Sequence, residues 1–382
     1  MPLLRNKRNT GVSEDVLSMT FSSDHPPSVS IDGMLMDSQT TVAVLDEAKR
    51  RPKVEEITLR SVTIDTSVAR AASELFSDPQ RLWKKADIVH CTGQNAKIIK
   101  AMICRTKHLS FTGSVPIAHN PRYCLDEECM RAIGHALQNC KSLDVLSLRG
   151  TRLDRASLQA FAEGLSKSTS LETLQLSHCA MEIQDVPILA EALRSNRHLK
   201  ALSMAHCKIG SAQPSEESAN QLCQVLESLA SHPRLEVLNL LGMYCTDDAM
   251  DALGELLRAP QSALWHLGLK NNGRRPEDKL NVHSIFEALS SNKTLTYLQV
   301  SGNNVDDEDM EQLAKILAGT NNTLRALSLP ANKISAPGID AFAKRLSEMR
   351  GLRFLDLQRN DFPESSKQAM IAALKDNAEL ER

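Results

Sequence analysis

From Leu143 onward one arrangement of apolar and polar positions recurs: leucine at positions 1, 4 and 6, then Asn, Cys or a small residue at 9 and an apolar residue at 11. It is read in LDVLSLRGTRL, LETLQLSHCAM, LKALSMAHCKI, LEVLNLLGMYC, LWHLGLKNNGR, LTYLQVSGNNV, LRALSLPANKI and LRFLDLQRNDF, which begin at Leu143, Leu171, Leu199, Leu235, Leu264, Leu295, Leu324 and Leu352. The steps between them are 28, 28, 36, 29, 31, 29 and 28 residues. Carried backwards, the register fits Val54-Ile57-Leu59-Val62-Ile64, then Trp83-Ala86-Ile88-Cys91, then Thr106-Leu109-Phe111. A further unit starts near Pro26 with Val29, Ile31, Met34 and Met36. That makes about twelve units, and self-similarity at such a period overrides a domain count taken from length.

Positions 4 and 6 alternate with 3, 5 and 7, the period-2 signature of a short strand with one buried face. After position 11 the spacing changes to 3.6, with helical stripes at Leu158, Phe161, Ala162, Leu165; Leu222, Val225, Leu226, Leu229; Met310, Leu313, Ala314, Leu317; and Ile339, Phe342, Ala343, Leu346. Strand, helix and equivalent strand in succession require parallel pairing. The predicted fold is therefore an α/β solenoid, a curved horseshoe with strands on its concave face and helices on its convex face. No unit buries its leucines alone, so stability is a sum over neighbours and the ends need caps. The expected organisation is an N-terminal cap or flexible segment at 1–25, divergent repeats at 26–142, regular repeats at 143–378 with the last helix as cap, and a tail at 379–382.

In these eight in-register units the chain resembles the ribonuclease-inhibitor-like, long-repeat class of leucine-rich-repeat proteins, over residues 26–378. The resemblance implies the same solenoid. Members of that class include nuclease inhibitors, sensor arms of innate-immune receptors, actin-associated scaffolds and the Ran GTPase-activating proteins. Most work by binding another protein on the concave face or rim.

Composition narrows the partners. With 45 Lys+Arg against 47 Asp+Glu in 382 residues, the net charge of -2 gives no general attraction to phosphate backbones or anionic lipid, so neither a nucleic acid nor a membrane is expected. The apolar runs, such as Ala101 to Cys104, fall far short of the roughly 20 residues that cross a bilayer. No apolar stretch follows the basic residues of MPLLRNKRNTGVSEDV, so a cytoplasmic location is expected, with export by a non-classical route left open. Nine cysteines without a CxxC pair read as small buried residues in a reducing interior.

The sequence carries no GxSxG, GxxxxGK[ST] or HExxH and no glycine-rich loop between strand and helix, so no catalytic residues, no cofactor and no enzyme activity are expected. Histidine and cysteine adjoin at His90-Cys91, His178-Cys179 and His206-Cys207. Because position 9 faces inward and the preceding His does not, one ion cannot reach all the donors of neighbouring units, and no metal site is expected. Asn272, Asn303, Asn332 and Asn360 at position 9 read as turn anchors, their amides serving backbone donors and acceptors.

A partner should dock on the exposed strand positions. Position 5 reads Ser147, Gln175, Ser203, Asn239, Gly268, Gln299, Ser328 and Asp356. Position 3 reads Val145, Thr173, Ala201, Val237, His266, Tyr297, Ala326 and Phe354. In a chain with 3% aromatics, rings on a solvent-facing row among small residues are binding anchors. The candidate partner-binding set is Tyr297, Phe354, His266, Trp265 at position 2, Val237, Lys270, and the loop arginines Arg274 and Arg275. Insertions at Val115–Cys124, Gly210–Glu217 and Gly273–Leu280 all fall on one rim.

The expected function is a monomeric, non-enzymatic scaffold that binds a folded protein partner through the concave face and rim. One alternative is a GTPase activator resembling the Ran-directed family, with Arg60, Arg149 and Arg274 as the arginines. It lacks that family's strongly acidic tail, since the sequence ends at NAELER. The other alternative is a translocated leucine-rich-repeat effector.

Overall fold

Apolar side chains at positions 4 and 6 can leave water together only if successive strands lie side by side in register, and a computed structural model shows that arrangement. It describes residues 20–22, 27–113, 125–210, 216–272 and 279–376. The chain divides into two compact units, Met1–Cys179 and Ala180–Arg382.

In the first unit the strands Ser28–Asp32, Glu56–Arg60, Trp83–Val89, Thr106–Thr112, Val145–Arg149 and Thr173–Gln175 form parallel neighbours, and Phe21–Ser22 adds an antiparallel edge. The pairs Ser28↔Glu56, Glu56↔Lys85, Lys85↔His108, His108↔Val145 and Val145↔Thr173 place every position 3 in one row. In the second unit Ala201–Ser203, Val237–Asn239, His266–Lys270, Tyr297–Ser301, Ala326–Ser328 and Phe354–Asp356 pair in the same way. Each parallel strand of the repeats is followed by a helix, and the four predicted stripes are buried, as with Leu158, Phe161, Leu165, Leu222, Leu226, Met310, Leu313, Ile339 and Phe342. The chain is thus an α/β leucine-rich-repeat solenoid.

Local chemistry sets the joints. Aspartate N-caps recur at the starts of helices: Asp37 accepts from Thr40 N (2.8 Å), Asp65 from Ser67 N and Val68 N, Asp126 from Cys129 N, and Asp154 from Ser157 N. At Asp65 the Ser67 hydroxyl and these amides hold the carboxyl down at about 2. Helices Glu127–Asn139 and Arg155–Lys167 approach through glycine, because a Cβ on Gly164 would lie 2.0 Å from Gly134 O, and one on Gly134 would lie 2.0 Å from Ala160 O. In the first unit Trp83 is fully buried against Phe76, while the Arg81 guanidinium lies 4.0 Å over its ring and donates to the carbonyls of Ala48, Arg51 and Val54. That one arginine closes the end of helix Ser38–Lys49.

The strand ends carry a feature that the leucine pattern does not reveal. Position 8 is left-handed in unit after unit, with φ between 52° and 71° at Ser61, His90, Gly150, His178, His206, Gly242, Asn271, Gly302, Ala331 and Arg359. Glycine adopts this turn freely and Asn and His tolerate it better than most. The adjoining His and Cys are therefore a turn. The histidine makes the left-handed corner, and the cysteine after it goes inside, where Cys91 donates to Leu59 O (3.3 Å) and Cys179 to Leu148 O (2.6 Å).

A second anchor stands three residues before position 1. Asn196, Asn292 and Asn321 are buried there, each accepting from the amides two and three residues on. His232 holds this place before Leu235. Its Nδ1 accepts from Arg234 N (3.3 Å), and burial, reinforced by Arg197 and Arg234, holds its pKa down at about 4 against an ordinary 6.5. The unfolded chain therefore takes the proton first. Stability is full above pH 6.5 and falls as pH drops toward 4. Urea unfolding at pH 7.5 and 5 should differ by about 1–2 kcal/mol more in wild type than in His232→Asn, which restores the residue used elsewhere. Equal differences in the two proteins would refute the assignment.

Candidate functional site

Parallel strands lie about 4.8 Å apart, so equivalent side chains on one face stack side by side. In the second unit that geometry brings together the position-3 row Val237, His266, Tyr297, Ala326 and Phe354. The rings of His266 and Tyr297 lie 4.4 Å apart at 9°, a stacked pair, and Trp265 meets His266 edge-on at 5.5 Å and 87°. Burial lowers the His266 pKa, favouring the neutral ring in the stack. Trp265 and Phe354 are exposed, at 42% and 51%. Between Tyr297 and Phe354 stands only the methyl of Ala326, so the two rings border a notch about 10 Å across. The corresponding row of the first unit carries the charges Glu56 and Lys85 instead, followed by His108, whose pKa burial and Lys85 lower, and Lys85 pairs with Asp87 at 2.7 Å.

The structure corrects one expectation about this face. Position 5 was to be open to solvent, yet Ser147 (7%), Gly268 and Ser328 (4%) are buried. Gly268 and Ser328 lie between longer neighbours, Asn239 and Gln299 for the one and Gln299 and Asp356 for the other, and Ser328 donates to Asp356 across the strands (3.3 Å). Val237, His266 and Tyr297 are half-buried. Along this row the exposed apolar area is therefore concentrated in Trp265, Phe354 and the stack's outer surface.

Lys270, Arg325 and Arg359 are exposed around this row and enter no ion pair among the described residues, though Arg325 donates to Gly351 O (2.8 Å). Arg274 and Arg275, and with them the loops Val115–Cys124 and Gly273–Leu280 in large part, lie outside the described residues. Arg60 and Arg149 are both exposed at position 7 of the first unit. Val89 and Thr112 stand between them in register, which puts the two about 14 Å apart.

Elsewhere Lys279, His283, Asp306 and Asp309 form a cluster of charges, with Lys279 at 2.6 Å from Asp306 and His283 at 3.1 Å from Asp309. Asp306 and Asp309 form the capping box of helix Asp307–Gly319, which accounts for the buried carboxyl. Among the described residues no three His, Cys, Asp or Glu are grouped to hold a metal ion, and no helix is long and apolar enough to cross a membrane.

The family model of the MHP1/HER1/GIP3 LRR domain matches residues 120–382, more than half the chain. The chain belongs to that family. Among curated relatives, NACHT, LRR and PYD domains-containing protein 4B of Mus musculus is 29% identical over 154 residues, which cover 40% of this chain and 17% of that protein. Ribonuclease inhibitor of Sus scrofa is 31% identical over 139 residues, covering 36% of this chain and 29% of that protein. The chain thus matches less than a third of the length of either relative. Of solved structures, yeast Rad7 in its complex with Elc1 aligns over 82% of this chain and 66% of that one, at 18% identity and a TM-score of 0.48. The family match covers all six strands of the second unit and the aromatic row on them.

Proposed function

We propose that this family member is a binding scaffold that captures a folded protein partner on the strand face of its second unit, without chemistry of its own. The observation that carries the reading is the aromatic row: a stacked His266–Tyr297 pair, an edge-on Trp265 and an exposed Phe354, beside small residues that leave a notch. Rigid rings on a rigid sheet offer large contact area with little entropy left to lose, which is how interfaces concentrate their affinity. Exposed Lys270, Arg325 and Arg359 suit a partner that brings carboxylates around an apolar centre. A ribonuclease inhibitor among the relatives, by its name a protein that acts on another protein, is in keeping with this use of the repeats.

The test is affinity capture from the source cell with wild type and a Tyr297→Ala, Phe354→Ala double variant of equal thermal stability. Partners recovered with wild type should fall at least tenfold with the variant, equivalent to about 1.4 kcal/mol or more. Undiminished recovery would remove the row as the docking surface. Hydrolysis of GTP by Ran-type GTPases, unchanged when the chain is added, separates this reading from a GTPase activator.

A further inference from the structure

The anchor three residues before position 1 is built for a polar acceptor. Asn292 Oδ1 accepts from Thr294 N (3.0 Å) and Leu295 N (2.8 Å), and Asn321 Oδ1 from Thr323 N (3.1 Å) and Leu324 N (2.9 Å). Their amide nitrogens donate one unit back, to Leu257 O (2.8 Å) and Leu289 O (2.7 Å). In the unit that begins at Leu143 the anchor is Cys140, buried to 2%. Its sulfur occupies the same cradle. The backbone amides of Ser142 and Leu143 donate to it, Ser142 Oγ lies 3.5 Å away, and the thiol donates one unit back to Ile103 O at 3.4 Å.

The residue after Ile103 is a second cysteine. Cys104 is exposed and sits in the one-turn 3-10 segment Ile103–Arg105, directly after the carbonyl that the Cys140 thiol reaches, which brings the two side chains near each other. Ser142 Oγ donates to Cys104 O (3.0 Å) and ties the two segments together. A cradle that satisfies a neutral carboxamide oxygen gains more from an anion, since hydrogen bonds to charged acceptors are about twice as strong. The Cys104 thiol and the Ser142 donors accordingly hold Cys140 down at about 6 despite its burial, while Cys104 is raised by sharing its proton with Cys140. The cation that acts on Cys104 is its neighbour Arg105.

We propose that Cys104 and Cys140 form an oxidative modification site, at which a hydroperoxide converts the two thiols reversibly to a disulfide. The Cys140 thiolate attacks one peroxide oxygen, the O–O bond breaks, and hydroxide leaves and takes the Cys104 proton to become water. The Cys104 thiolate then attacks the sulfenic sulfur of Cys140, the S–O bond breaks, and the departing hydroxide takes up the proton that Cys140 had released to solvent. In sum, two thiols and one hydrogen peroxide give one disulfide and two waters, with two electrons passing from the sulfurs to the peroxide. Hydrogen peroxide is little larger than water and reaches Cys140 past its exposed neighbour. The Cys140 sulfur already reaches the carbonyl that precedes Cys104, and closing to the roughly 2.05 Å of a disulfide takes a local movement that a one-turn segment accommodates.

The test treats the full chain with hydrogen peroxide, blocks remaining thiols, and maps peptides by mass spectrometry. Wild type should yield a Cys104-to-Cys140 linked pair that dithiothreitol separates, and Cys104→Ser should instead leave a sulfenic acid at Cys140 that dimedone traps. Alkylation of Cys140 should rise with a midpoint near pH 6 in wild type, moving up by a unit or more in Cys104→Ser. Cys140→Ser serves as the folding control, because serine already anchors the next unit, where Ser168 Oγ accepts from Leu171 N. No linked pair in peroxide-treated wild type that keeps its native circular dichroism, or an alkylation midpoint unmoved in Cys104→Ser, would overturn the proposal.

Discussion

Asn332→Ala should lower the unfolding free energy by about 3–5 kcal/mol, the largest loss expected from any single polar side chain of the second unit. The Asn332 carboxamide oxygen accepts from Asn303 N (2.9 Å) and Val305 N (3.2 Å), and its nitrogen donates to Val300 O (2.7 Å) and Leu329 O (2.9 Å). Alanine strands Asn303 N, Val305 N and Val300 O in a place where water does not reach them, at about 1–3 kcal/mol for each that finds no other partner, while Leu329 O keeps the Asn360 amide as a donor. Asn332→Cys should lose clearly less, because Cys91 and Cys179 fill the same position in the first unit and bond the equivalent carbonyl. Urea unfolding followed by circular dichroism measures both. A loss under 1 kcal/mol for the alanine would mean that the ladder contributes little.

Leu327→Ala should cost about 2–5 kcal/mol, the range for truncating a fully buried leucine, and Leu202→Ala should behave alike. Their immediate neighbours supply the contrast. Ser203→Ala should be nearly neutral, and Ser328→Ala should lose less than about 1 kcal/mol, the worth of one long hydrogen bond to Asp356. Thermal or urea unfolding of the four variants decides it. Comparable losses for leucine and serine would place the strands one residue out of register.

The contrast between Leu327 and Ser328 also marks what the residues disclose by themselves. Burial of positions 4 and 6 is written in the spacing, because no other placement hides so many leucines at once. The row Val237, His266, Tyr297, Ala326 and Phe354 follows from it by counting. The depth of Ser147, Gly268 and Ser328 does not follow, because it depends on how tall the neighbouring side chains stand. The stacking of His266 on Tyr297 depends on rotamers that period alone does not choose. The left-handed corner at position 8 left a trace in the recurring Gly, Asn and His, and the second anchor a trace in Asn196, Asn292 and Asn321. Both traces are polar and irregular, so they are faint beside the leucines. Cys140 is fainter still, since it stands where asparagine usually does and only the cradle around it gives the sulfur its character.

The asparagine ladder has a direction. Asn360 serves the backbone around Asn332, Asn332 serves that around Asn303, and Asn303 serves Asn272, so each rung is supplied by the unit that follows. Fraying should therefore start at the C-terminal side and run backwards. A truncation ahead of Asn360 strips Asn332 N and Ile334 N of their acceptor and Leu329 O of a donor. Deleting an upstream unit withdraws nothing from the backbone below it in this ladder.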